Sequence, residues 1–296
     1  MDFSNPLSFW WIFMVAANII CVCVYIFLFI KSVKSDELEP ENKKYKSILR
    51  VLGAIFVAVS MYRSIFVCSY PNRLVWFDSM ANSPFIIRIF ATFAEISYAL
   101  LIMLPLLHLN YEMPLDTKFT RTRIGGFVVN KGPYMIFFCL FTAQFFAYSG
   151  LITQHLTLFA IEETLWTLGF LSITPALYSH LIDVVKYHKN DPSLKLIKAF
   201  LIVLTLFTTG YLIYQIAFSL PVTYYSQLAA DLAKPHLSGM EGLNNALFNF
   251  TATRDFDKWG GIGFFIWDTG YFTICTWMNI LYAMAPRKLK QINKTK

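Results

Sequence analysis

Seven stretches of this chain, about residues 7–30, 48–68, 84–107, 133–152, 156–182, 197–220 and 262–284, are apolar almost without interruption. Each is long enough to carry an α-helix across a hydrocarbon core, which takes ~20 residues. Membrane β-strands are short and alternate in polarity, whereas these runs are long and apolar on every face, so helices are the expectation. The fold class that follows is all-α: one seven-helix transmembrane domain over residues 1–296, with no room for a separate soluble domain. The first run lacks a basic leader and a small-residue cleavage site, and is read as a retained helix and not a removed signal peptide.

Composition supports this. Of 296 residues, 56% are hydrophobic and only 15% charged, against roughly 25% charged in an ordinary soluble domain. The net charge of +7 is explained by the excess of Lys and Arg that membrane proteins keep in cytoplasmic loops, so nucleic acid is not an expected partner. The five cysteines, Cys21, Cys23, Cys68, Cys139 and Cys275, have no metal-ligand spacing and imply no disulfide framework.

The loops set an orientation. On one side stand Lys31, Lys34, Lys43, Lys44, Lys46 and Arg50, then Lys118, Arg121, Arg123 and Lys131, then Lys186, Lys189, Lys195 and Lys198, and last Arg287, Lys288, Lys290, Lys294 and Lys296. On the other stand only Arg73, Lys234, Arg254 and Lys258. The positive-inside rule therefore puts the N-terminus on the outer or lumenal side and the C-terminus in the cytoplasm. In the longest outer connection, about 221–261, the stretch 224–234 suggests a short interfacial helix, with Pro235, Gly239 and Gly242 breaking the chain after it. Asn249-Phe250-Thr251 is a glycosylation sequon on the same side.

With that orientation, six ionisable side chains fall at comparable depth in the outer half of the membrane: Arg63, Arg88, Glu95, Glu162, Glu163 and Asp268. Arg88 and Glu95 are seven apart and share a helix face with Thr92. Polar partners are offered by Asn18, by Gln144 and Tyr148, and by Thr208, Tyr211 and Gln215. Ionised groups facing lipid near the bilayer centre cost at least ~2.5 to 3.5 kcal/mol, so these should turn inward and pair. Four carboxylates against two guanidinium groups leave an acid that must be protonated, cation-bound or wet. The leading expectation is an outward-facing pocket that binds or moves a small polar solute, proton or cation. The alternatives are buried ion pairs that only fix packing, in an accessory subunit of a larger membrane complex, and, third, a lipid-modifying membrane enzyme.

Several neighbouring features have duller readings. Asp78 or Asn82 is placed to cap the third helix, with Arg73 and Asp78 as a pocket lid the alternative. The glycines at 260, 261 and 263 are read as a bend or close contact. His155, at the mouth of the fifth run, is read as an interfacial histidine ahead of a zinc or iron ligand acting with Glu162 and Glu163. His108 and His180 have the placement, but no other support, for a haem. Seven spans invite comparison with G-protein-coupled receptors and retinal proteins. Yet the seventh run has no lysine, and the Asp-Arg-Tyr and Asn-Pro-x-x-Tyr motifs are missing. No Ser-His-Asp or Gly-x-Ser-x-Gly arrangement stands out either, so binding or transport is placed ahead of catalysis, no cofactor is expected, and membrane lipids, a small solute or ion and other membrane subunits are the expected partners.

Overall fold

The computed structural model of the protein describes residues 6–34, 42–115, 117–188, 191 and 194–284. Its helices are α1 (Pro6–Lys34), α2 (Lys43–Ile65), α3 (Pro84–Glu112), α4 (Arg123–Thr153), α5 (Leu156–Tyr187), α6 (Lys195–Tyr214), α7 (Leu228–Leu232), α8 (Gly239–Phe248), α9 (Gly261–Thr269) and α10 (Thr276–Met284). A π-helical segment, Gln215–Tyr224, and one 3-10 turn, Tyr225–Gln227, carry the chain from α6 to α7. A second π-helical segment, Gly270–Cys275, joins α9 to α10.

Six of these stretches are long and apolar enough to cross a membrane: α1 to α5, and the run from Lys195 to Leu232. The protein is thus a multi-pass helical bundle of membrane type. Its outer faces carry side chains that would be costly in water, among them Phe9, Phe27, Phe138, Leu206 and Ile213, each more than half exposed. Polar groups are drawn inward instead, as a hydrocarbon surround requires. Neighbours in sequence are neighbours in space, with α4 on α5 the most extensive interface. The helical run 261–284 closes the bundle against α1, α2, α3 and α6, and Phe56, Tyr98, Phe170, Phe200 and Tyr282 interlock in the core.

Small residues allow the close helix approach. At Gly132 a Cβ would stand 2.2 Å from the Ser172 carbonyl oxygen of α5, and the Ser172 hydroxyl donates to the Gly132 carbonyl at 3.0 Å. Without a hydrophobic driving force between helices in lipid, such contacts and interhelical hydrogen bonds are what hold a bundle together.

One end of the bundle carries a small sheet of three strands, β1 (Cys68–Ser69), β2 (Leu74–Val75) and β3 (Thr251–Ala252), in the order β1-β2-β3. β1 pairs antiparallel with β2, and β2 pairs parallel with β3. The sheet lies over a cluster of Leu7, Val67, Trp76, Trp259 and Phe265. These strands are an addition to the all-α expectation: two residues each, they have no periodicity to read.

Other boundaries differ from the sequence reading. α4 starts at Arg123, ten residues ahead of Pro133, because the Thr122 hydroxyl caps it by accepting from the Gly125 amide at 3.0 Å. The helical path from Lys195 runs on past residue 220 to Leu232, in place of a separate interfacial helix at 224–234. Gly239 and Gly242 do not break the chain; they lie in α8, which Gly242 lets approach α4 so closely that a Cβ would meet the Ile152 carbonyl oxygen at 2.5 Å. Gly260 and Gly261 make the bend that was expected, with φ of +92° and +62°. The basic tail from Arg287 to Lys296, and Lys189, lie outside the described residues.

Candidate functional site

Arg88 is the hub of the buried charges. It lies on α3, 2% exposed, and is ion-paired with Glu95 on the same helix at 2.6 Å and with Glu162 on α5 at 3.3 Å. The seven-residue spacing of Arg88 and Glu95 puts both on one face of α3, which is why the pair forms within a single helix. Gln144 of α4 completes the knot: its carbonyl oxygen accepts from Arg88 Nη2, and its amide donates to Glu95 Oε2 at 2.9 Å. One guanidinium thus serves two carboxylates from two helices.

Glu163 turns the other way. Adjacent residues of a helix point ~100° apart, and Glu163 Oε2 accepts from Gln215 Nε2 at 2.6 Å. Gln215 also donates to the Tyr211 hydroxyl at 2.8 Å. Gln215 is the first residue of the long π-helical segment, and π turns recur at functional positions in helices.

Arg63 and Asp268 form the remaining part. Arg63 of α2 is buried among rings, its guanidinium 4.8 Å from the centre of Phe272 and 5.6 Å from both Tyr70 and Tyr271. Cation–π attraction of this kind strengthens where water is excluded. Tyr70 stands between the two arginines, also 5.6 Å from Arg88. Burial outweighs the pull of both guanidinium groups and pushes its phenol up, so Tyr70 is a neutral hydroxyl. Asp268 is 2% exposed, and its Oδ2 has no hydrogen-bond partner among the described residues.

Of the six candidate residues, Arg88, Glu95 and Glu162 are in direct contact, Glu163 joins through Gln215, and Arg63 and Asp268 make no hydrogen bond or ion pair to the other four among the described residues. The polar partners Gln144, Tyr211 and Gln215 take the roles their positions suggested, and Tyr148 meets Thr92 at 3.2 Å. Asn18 instead bonds its own helix at Met14, and Thr208 makes no hydrogen bond from its buried hydroxyl among the described residues. Tyr70 was not foreseen, because it lies in a connection whose path sequence does not reveal.

The surrounding readings need correction. Arg73 is not a lid: its Nη2 donates to the Leu151 and Ile152 carbonyls at 2.7 and 3.2 Å, serving the C-terminal end of α4, where a cation suits the helix dipole. Asp78 is exposed. Neither Asp78 nor Asn82 caps α3, since the cap position belongs to Ser83; Asn82 braces the turn by accepting from Phe77 N at 2.9 Å and donating to the Val67 carbonyl at 2.8 Å. His155 faces Asp231, at 2.7 Å, and not Glu162 or Glu163. His180 donates or accepts toward Asn110 at 2.7 Å, and His108 stacks on Tyr45.

No protein-family model, no curated protein and no solved structure matches this chain.

Proposed function

We propose that the protein crosses its membrane seven times, N-terminus outward, and that Arg63, Arg88, Glu95, Glu162, Glu163 and Asp268 line an outward-facing intramembrane site that binds or moves a proton, a cation or a small polar solute. The run 261–284 supplies the seventh span in this reading. The observation that carries it is the imbalance of charge around Arg88: one guanidinium faces two carboxylates, while Glu163 has only neutral partners and Asp268 Oδ2 has none among the described residues. A purely structural network gains nothing from an unbalanced carboxylate, whose burial is unfavourable without a partner. A site that takes up a positive charge needs one.

The test uses the whole protein in sealed lipid vesicles, with a trapped pH dye and a panel of monovalent cations and small polar solutes. Glu162→Gln and Glu163→Gln keep shape and hydrogen bonding but remove titration. Arg88 retains Glu95 when Glu162 is changed, so both variants should fold. The expected result is loss of solute-coupled or pH-driven flux in one of the two, with the other largely intact.

A second reading has its own observation. α1 buries only about a fifth of its most apolar window and exposes Phe9, Phe13, Ile20 and Phe27, a face suited to lipid or to a neighbouring membrane subunit. If both Gln variants fold and keep every flux of the parent protein, the carboxylates are packing groups and an accessory-subunit role replaces transport.

A further inference from the structure

At the sheet-bearing end of the molecule two distant pieces of chain are fastened together. The Leu237 amide donates to the Thr153 carbonyl at 3.2 Å, joining the segment after α7 to the junction of α4 and α5. Asp231, 4% exposed, projects from α7 onto the first turn of α5, where its Oδ2 accepts from the Thr157 amide and hydroxyl, both at 2.9 Å. Those bonds, and the positive end of the α5 dipole, favour the ionised carboxylate.

Two imidazoles converge on this carboxylate. His155 Nδ1 is 2.7 Å from Asp231 Oδ2, and His236 Nε2 is 2.9 Å from the Asp231 carbonyl oxygen. Pro235 ends the helix just before His236, so the chain turns back and lays the second ring on the first. The ring centres are 3.6 Å apart at an interplanar angle of 10°. Two imidazolium ions cannot share that spacing comfortably, so the pair disfavours full protonation. One possible ligand atom from each of His155, Asp231 and His236 lies within 4.8 Å of the other two.

We infer that His155, Asp231 and His236 form a binding site for one divalent transition-metal ion, of which Zn2+ fits best, that clamps the segment after α7 onto the start of α5. Two imidazole nitrogens and a carboxylate oxygen are a donor set of the kind zinc takes, with water as the fourth ligand. Hard cations such as Mg2+ and Ca2+ prefer all-oxygen surroundings and are disfavoured by the two rings. Binding draws one nitrogen of each ring toward the ion and tilts the rings out of their parallel stack. A neutral His155 offers Nδ1 by moving its hydrogen to Nε2, so no proton is lost. Below the ordinary histidine pKa of about 6.5, protons compete for the nitrogens and the ion is released. The inference is independent of the role proposed for Arg88 and its acids.

The whole protein, purified in detergent and stripped with a chelator, is titrated with ZnCl2 and separately with MgCl2 and CaCl2, following heat of binding and melting temperature. One zinc per chain is expected, with a rise in melting temperature that Mg2+ and Ca2+ do not give, and X-ray absorption at the zinc edge should show imidazole ligation. His155→Ala and His236→Ala should each weaken zinc binding about tenfold or more, as loss of site residues does. His236 contributes only the ring stack and one hydrogen bond to the fold, so its variant should remain folded. His188→Gln, removing a histidine paired with Asp183 at the other end of α5, should bind as the parent does. Absence of saturable zinc binding by the parent protein, or unchanged binding by the His155→Ala/His236→Ala double variant, overturns the proposal.

Discussion

The energetics of this protein concentrate in a few side chains, and Arg88 is the most exposed to test. Replacing it with Ala leaves the Glu95 and Glu162 carboxylates buried without their cation, a loss of the kind that costs ~3 to 5 kcal/mol when a buried pair is broken. Denaturation of the detergent-solubilised Arg88→Ala variant should show a loss of that order. Adding Glu95→Gln should recover part of it, because one stranded charge is then removed and Gln can still bond Gln144. An unchanged melting temperature for Arg88→Ala would place the guanidinium in water or headgroups and refute the buried network. Arg73 illustrates the opposite placement: a cation next to the mouth of the bundle whose work is to satisfy two carbonyls at the end of α4.

Among elements, the α4–α5 pair is held by close approach more than by bulk. Gly132→Ala would push a methyl group into the Ser172 carbonyl, 2.2 Å from an ideal Cβ, and backbone cannot swing aside as a side chain can. Overpacking of this kind typically costs about 1 to 3 kcal/mol, so the melting temperature should fall. Gly210 in α6 has nothing within 4 Å of its Cβ position, and Gly210→Ala should be tolerated without loss. If the two variants melt alike, the tight contact at Gly132 contributes nothing to the packing of these helices.

On the scale of the whole molecule, the described Lys and Arg of the connections divide between two ends, with Lys43, Lys44, Lys118, Arg121, Lys186, Lys195 and Lys198 away from the sheet and Arg73, Lys234, Arg254 and Lys258 beside it. The outward placement of the sheet follows from this bias and is testable on intact cells. In a background lacking the five native cysteines, Ser238→Cys should react with an impermeant thiol reagent added outside, while Lys44→Cys and Lys118→Cys should be protected. Ser238, Lys44 and Lys118 are all exposed, so protection reports the membrane and not burial. Reaction of Lys44→Cys from outside would invert the orientation and the depth assigned to every buried charge.

What the sequence determined alone is whatever hydrocarbon dictates locally: long apolar helices, ionisable groups turned inward, and a meeting of Arg88, Glu95 and Glu162 near Gln144. Burial costs are large enough that a face and a depth suffice to find such partners. Which acid each cation takes was decided only by tertiary structure, where Glu162 reaches Arg88 while its neighbour Glu163 reaches Gln215. The three short strands, the π-helical continuation of α6 and the capping role of Arg73 were equally invisible, since each depends on a contact between segments far apart in the chain. The His155, Asp231 and His236 cluster shows the reason most plainly. His155 and Asp231 are 76 residues apart in sequence, no period or spacing links them, and only the docking of α7 on the start of α5 makes a lone interfacial histidine part of a three-residue site.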